Sequence, residues 1–511
     1  MSSHAPHPLT IVIKLGSSSI LQPTPPHLPQ MATLSSIAET CVSLRQLGHR
    51  VVIVSSGAIG MGVHRMDAAS NHSTTTTSNN KSTRTMGEKQ ALAAIGQGRL
   101  IALWDQIFAH LAQPIAQILL TRNDIADRSR YLNATTTLST LLSMGVIPII
   151  NENDTISVSE ILHINKFGDN DTLSAIAAGM CGADYLFLLT DVDSLYEDNP
   201  RRCPTARRVT KVRDIEQVRK LVSTSTLGTS LGTGGMETKL IAAELATAVG
   251  CHTVITIGNQ PNKLIDIVKQ HSNLGTREEP NDDLETGESV EFEAPVPGVV
   301  GTSNGNVTKS TCPHTLFLRK LHPLSSRRFW IVHGLTPRGT VYVDYGAYLA
   351  ISRGERDGGR GGNGGRLLAA GVVRVEGSFA AGQAVTVAVI KNYRRRGRPE
   401  HKHEHATTKN ERAKSPDHFQ DRLATRDMEA SVESLDLEQH SQEVQGVPEG
   451  EEEQVFEFGR GLTNYNSVEI DRVKGLRSSD IQKVLGYYEA EHVVESVVDL
   501  RRGLVEGTAE Q

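Results

Sequence analysis

The sequence lacks paired cysteines, long apolar runs and any strong excess of one charge. Its five cysteines, Cys41, Cys181, Cys203, Cys251 and Cys312, are scattered over 511 residues without a C-x-x-C pair. That excludes a disulfide framework and the usual zinc-ligand spacing as organising devices, and reduced thiols are the expectation. No stretch approaches the ~20 apolar residues that a membrane-spanning helix needs. The opening MSSHAPHPLTIVIKLGSSS meets lysine after a short apolar run, so it lacks the core of a signal peptide; a soluble, cytoplasmic chain is expected. A formal net charge of -5 argues against a chain built mainly to coat nucleic acid. Two familiar phosphate-binding patterns are missing as well. LGTGGMETKL, residues 231 to 240, places glycines and threonines before a lysine, but it fits neither G-x-x-x-x-G-K-[ST] nor G-x-G-x-x-G, where Glu237 occupies the place of the last glycine.

What is present is alternation. At roughly 150 residues per domain, the length predicts two or three domains. From residue 10 to about 270, the short β-branched runs TIVIKL, VVIVSS, PIAQILL, VIPII, YLFLLT and TVITI are separated by segments of helical period. This is the pattern of an open, mainly parallel α/β sheet sandwiched by helices. Leu34, Ile37, Ala38, Cys41, Leu44 and Leu47 recur at helical spacing, with Gly48 placed to end that helix, and Gly250 has the same place after METKLIAAELATAVG.

Three stretches break the rhythm. Residues 67 to 85 form a polar insertion with too little apolar surface to offset the entropy of ordering it. Residues 274 to 313, acidic and then rich in Gly, Ser, Thr and Pro, suit a linker. From TLFLRK onward short strands alone are expected, TVYVDYG, GVVRVEG and AVTVAVI among them, giving a small β-rich domain over 314–505 interrupted by a disordered tract of about 395–455.

The candidate chemistry lies at strand ends. IKLGSSS offers a lysine, a glycine and three hydroxyls where N–H groups can receive phosphate oxygens, although an ordinary strand-to-helix turn has the same look. VVIVSSGAIG repeats small residues at a second strand end, on the edge where open α/β sheets bind ligands. IINEND and GDNDTLSA supply two clusters of carboxylates and amides. Helix capping alone explains most such clusters, yet together they can hold an amino acid's ammonium and carboxylate. Thr190 and Asp191 in LLTDVDSLY read equally well as a nucleoside contact or an acidic turn. In GTGGMETK, the glycines permit close backbone approach and Lys239 can neutralise a phosphoryl group; a flexible loop and cap is the bland alternative.

In order and approximate spacing, IKLGSSS, VVIVSSGAIG, IINEND, GDNDTLSA, LLTDVDSLY and GTGGMETK resemble the amino-acid kinase family over residues 8–273. GVVRVEGSFAAGQAV and GRGLTNYNS resemble the PUA domain that many members carry. Ser17 and Ser55 replace the family's usual threonines, and Glu237 stands where serine is common. The resemblance implies that Lys14 and Lys239 touch the ATP phosphates and that Gly16 and Ser17 line the cradle. Thr190 and Asp191 would meet the nucleoside, with Thr233, Gly234, Gly235, Met236, Glu237, Thr238 and Lys239 over the triphosphate. Ser56, Gly57, Asp154 and Asn170 match the positions that bind the acceptor, and Asp171 matches the aspartate that organises the two lysines, so Lys14, Asp171 and Lys239 form the implied catalytic set.

Within the family, the resemblance points to members that phosphorylate the γ-carboxylate of L-glutamate at the start of proline synthesis. A γ-carboxyl with a pKa of about 4.3 is ionised at neutral pH and needs no general base. Mg²⁺ is implied to arrive with ATP, with no protein ligands assigned. Proline as feedback inhibitor and a homo-oligomer are further expectations. Family members acting on aspartate, N-acetylglutamate, carbamate or a nucleotide remain alternatives. So does an RNA-binding protein, because PUA modules elsewhere bind RNA and RRRGR at 394–398 is basic.

Overall fold

The computed structural model describes residues 8–22, 24, 26–70, 85–156, 170–198, 203, 205–222, 235–271, 288–293, 312–320, 323–356, 365–391 and 454–500. The first sheet comprises β1 (Thr10–Leu15), β2 (Arg50–Ser55), β3 (Ile115–Leu120), β4 (Ile147–Glu152), β5 (Tyr185–Thr190), β6 (Leu195–Tyr196), β7 (Arg208–Val212), β8 (His252–Ile257), β9 (Val290–Phe292) and β10 (Thr315–Phe317). Its order is β3-β4-β2-β1-β5-β8-β10-β7-β6, with β9 also paired to β7. The six strands from β3 to β8 are parallel throughout, and antiparallel pairs occur only where β10, β6 and β9 extend the sheet. An open, mainly parallel sheet between helices is therefore what the chain forms.

The continuous apolar runs follow from burial on both faces. Ile11, Ile13 and Leu15 of β1 point into one core with Trp104, Phe108 and Leu34, while Val12 joins Val52, Leu186 and Leu240 in the other. Helices Met31–Gln46, Met86–His110 and Lys263–Gln270 cover the first face, and Arg128–Ser143, Asn170–Cys181 and Met236–Ala248 the second. The helix-ending glycines act as expected, with left-handed φ of +91° at Gly48 and +83° at Gly250. Among the described residues no helix is long and apolar enough to cross a membrane.

The second sheet comprises β11 (Gly339–Asp344), β12 (Leu367–Leu368), β13 (Val372–Gly377), β14 (Ala384–Ile390), β15 (Val455–Thr463) and β16 (His492–Asp499), in the order β12-β16-β15-β14-β11-β13. Its own core includes Val341, Val387, Phe458, Tyr465 and Ile470.

Three expectations need correction. TLFLRK does not open the second domain: β10 lies in the first sheet between β8 and β7, and Val290–Phe292, expected to be linker, is a strand there too. Phe329, Trp330 and Ile331 likewise pack on the first sheet, in the core that holds Val12 and Leu240. The C-terminal region is not strands alone. TVYVDYG turns helical at Tyr345 because the Asp344 carboxylate accepts a hydrogen bond from the Ala347 N–H at 2.7 Å, and helix Tyr345–Arg356 follows. Helix Ser467–Val473 is started by an Asn466–Glu469 capping box. Finally, 67–70 of the polar insertion prolong helix Ala58–Ser70 and Thr85 caps the next helix through Glu88, while 71–84 lie outside the described residues, as do 392–453 of the second tract.

Candidate active site

The parallel strands all deliver their C-terminal ends to one edge, and the polar residues singled out in the sequence collect there. Lys14 is the penultimate residue of β1, Ser56 follows β2, Asn151 and Asp154 lie at the end of β4, and Thr190 ends β5. Two helix starts face them from the second side of the sheet: Asn170–Cys181, which is buried over nearly its whole length, and Met236–Ala248.

At the centre is Asp171, fully buried. One carboxylate oxygen lies 2.5 Å from Lys14 Nζ, and the other lies 3.4 Å from Lys239 Nζ and accepts a 2.8 Å hydrogen bond from the Thr238 hydroxyl. Burial by itself raises the pKa of Asp171. The charges of Lys14 and Lys239, with hydrogen bonds from Lys14 and Thr238, overcome that and hold the carboxyl well below the usual range. Three separate elements thus place two ammonium groups at one point. The sum of charge is +1, from two lysines against one aspartate, and it lies beside two helix N-termini without side-chain caps, at Gly16 and Gly235. Helix starts without side-chain caps, positive dipole ends and a net cation are what a polyphosphate requires. Gly16 adopts φ -79°, so its backbone does not demand glycine, and a Cβ there would stand 3.9 Å from Lys14 Nζ.

Beside the lysines runs an amide relay. Asn170 Nδ2 donates to Ser56 Oγ at 2.8 Å and to Asn151 Oδ1 at 3.1 Å, and Asn151 Nδ2 donates to Gln97 Oε1 at 2.8 Å. The relay fixes the Asn170 amide so that Oδ1, buried and without a hydrogen-bond partner among the described residues, is left as an acceptor. An ammonium donor would complete it. Asp154 lies two residues past the end of β4; burial first and the charge of Glu152 second push its carboxyl up to about 6. Ser56 is held by Gly57, whose φ of +109° falls in the left-handed region and whose missing Cβ would lie 3.3 Å from Ile20.

Most predicted residues therefore share one edge. Thr190 and Asp191 sit at the β5 end and pair with each other, Thr190 Oγ1 donating to Asp191 Oδ1 at 3.1 Å. Thr233 and Gly234 lie outside the described residues. Glu237 lies in the first turn of helix Met236–Ala248, and its carboxylate is 3.6 Å from Arg219 Nε. Asn151 and Gln97 are the residues that motif reading missed. Gln97 carried a signal, because Gly96 precedes it inside a helix, where glycine is costly unless something packs close. At Gly96 a Cβ would stand 1.8 Å from the Ala58 carbonyl oxygen, so helices Ala58–Ser70 and Met86–His110 meet backbone to backbone.

Residues 9–257 match the amino acid kinase family. The chain is 41% identical over 485 residues to a probable glutamate 5-kinase from Schizosaccharomyces pombe, spanning 95% of this chain and 91% of that one. It is 37% identical over 485 residues to a glutamate 5-kinase from Rippkaea orientalis, spanning 95% and 97% of the two chains. A glutamate 5-kinase from Acaryochloris marina gives 37% over 486 residues, with the same shares.

Proposed function

The chain belongs to the amino acid kinase family, and from that premise we infer that it is an ATP-dependent carboxylate kinase whose acceptor is the γ-carboxylate of L-glutamate. The observation that carries the reading is the pairing of one buried carboxylate, Asp171, with two lysines from different elements, directly beside the relay through Asn170.

In this reading Lys14 and Lys239 hold the triphosphate, and the N–H groups after Gly16 and Gly235 receive its oxygens. Asp171 aims both ammonium groups at that point. The acceptor's ammonium is held by Asn170 Oδ1 and Asp154. Its γ-carboxylate oxygen attacks the γ-phosphorus as the bond to the β–γ bridging oxygen breaks, giving γ-glutamyl phosphate and ADP. No proton has to move, so the site needs position and positive charge rather than a base. Thr190 and Asp191 are proposed to meet the nucleoside. Among the described residues no three His, Cys, Asp or Glu side chains are set to hold a metal, and both Asp171 oxygens are engaged by lysine or threonine. The described residues offer no set of donors for a resident metal, and magnesium is proposed to come with the nucleotide, where it would neutralise phosphate charge.

The product is an activated acyl phosphate, which suits the first step of proline synthesis. L-Proline shares the α-amino acid group and is proposed to compete for the acceptor pocket; equal inhibition at low and saturating glutamate would contradict this. We propose the chain's division as 8–334 for the kinase domain and 339–500 for the β domain, the latter of PUA type on its motif resemblance. The deciding assay supplies MgATP and hydroxylamine with each candidate acid. γ-Glutamyl hydroxamate is expected from glutamate, and product from another acid but not from glutamate would reassign the acceptor.

A further inference from the structure

We propose that Arg219 is a positioning residue for the nucleotide, acting by drawing the Glu237 carboxylate away from the helix start that receives the triphosphate. This rests on the reading of that helix start as the phosphate site.

Glu237 is the second residue of helix Met236–Ala248, whose N-terminus has no side-chain cap. A carboxylate in a first turn is drawn by the dipole and the free N–H groups toward that same terminus. Two turns further along the helix its charge would be harmless. Here, next to Thr238 and Lys239, it would compete with phosphate for N–H donors and repel it. Arg219, on helix Ile215–Leu221, offers the alternative partner: Nε lies 3.6 Å from Glu237 Oε1, while the two terminal nitrogens bond Glu216 at 2.5 Å and Glu244 at 2.8 Å. The last two contacts fix the guanidinium plane, one from its own helix and one from a later turn of the phosphate helix. The remaining Nε edge is what faces Glu237. Glu237 is held at ion-pair distance without a hydrogen bond to Nε, so its attraction to Arg219 is electrostatic, while the fork to Glu216 and Glu244 keeps the charge in place.

An electrostatic role for Arg219 has a sign that a merely structural role does not. In Arg219→Gln, the freed Glu237 carboxylate should weaken MgATP binding by roughly three- to tenfold, the scale of one partly screened like charge several ångströms from the phosphates. KM for glutamate should stay within about twofold, a scale well under the tenfold that corresponds to 1.4 kcal/mol. In Arg219→Gln/Glu237→Gln, MgATP affinity should return to that of Glu237→Gln, the reference corner of the cycle. Binding is read by direct titration with MgATP, without acceptor, in full-length protein. An unchanged affinity in Arg219→Gln, or a double variant as weak as the single one, overturns the proposal. The second result would assign Arg219 to tying the helices through Glu216 and Glu244. If Arg219→Gln does not fold, Arg219→Lys, which keeps the charge and loses the fork, should show a smaller weakening that Glu237→Gln again removes. Failure of the unaltered protein to bind MgATP would instead refute the phosphate site itself.

Discussion

Asp154 offers a test in which acidity, affinity and stability must move together. Its carboxyl is pushed from 3.8 to about 6 by burial and by Glu152. A displacement of that size corresponds to about 3 kcal/mol of unfavourable charging in the ligand-free protein, less some allowance for partial exposure. A substrate ammonium placed against it relieves that cost. Between pH 7.5 and 5, where the acceptor's own γ-carboxylate stays mostly ionised, kcat/KM for glutamate should therefore fall on a single-proton limb centred near pH 6, approaching tenfold per unit below it. The limb in kcat should lie at lower pH, because the bound ammonium favours the ionised carboxylate. Stability carries the opposite sign. A carboxyl whose folded pKa is raised stabilises the protein fully below its unfolded value and loses that contribution as pH rises through about 6. Asp154→Asn should thus stabilise the ligand-free protein by up to about 3 kcal/mol at pH 7.5, while raising KM for glutamate and abolishing the acid limb. Steady-state profiles with thermal melts at matched pH provide the assay. An acid limb that survives unchanged in Asp154→Asn would refute the assignment.

Two further outcomes follow from the packing. Asp171→Asn strips the counter-charge from two nearly buried lysines, so a loss of about 3–5 kcal/mol in denaturant unfolding at neutral pH is expected; because this carboxyl is held below its usual range, its contribution should vanish only as pH falls through the acid region. Gly96→Ala would press a Cβ to 1.8 Å from the Ala58 carbonyl oxygen and 2.4 Å from the Gly62 nitrogen, backbone atoms that cannot turn aside. A loss of about 2–3 kcal/mol, read as a lowered melting temperature, is expected, with a raised KM for glutamate because the displaced helix follows directly on Ser56 and Gly57.

Much of this was legible in the chain. Strands buried on both faces announce themselves as unbroken apolar runs, as TIVIKL and YLFLLT do. Residues at their C-terminal ends share an edge by topology alone, which is why Lys14, Ser56, Asp154 and Thr190 could be gathered without coordinates. Strand β9 was not legible, because three residues carry no period, and β10, though read as a strand in TLFLRK, could not be assigned to the first sheet because its partners β7 and β8 lie far away in sequence. Helix Tyr345–Arg356 hid behind a strand that stops at its own cap, Asp344. The relay from Asn170 through Asn151 to Gln97, and the turning of Glu237 to Arg219, join residues far apart in sequence. No local pattern records such contacts.

The most direct measurement compares Lys239→Ala with Asn170→Ala in steady-state kinetics for both substrates. Loss of Lys239 removes positive charge needed most in the transition state, so turnover should fall roughly a hundredfold or more, with a smaller effect on ATP KM. Loss of Asn170 removes a neutral contact present before and during transfer, so glutamate KM should rise more than turnover falls, with ATP KM nearly unchanged. Normal turnover in Lys239→Ala, or a defect confined to ATP in Asn170→Ala, would contradict the division of the site into a phosphate half and an acceptor half.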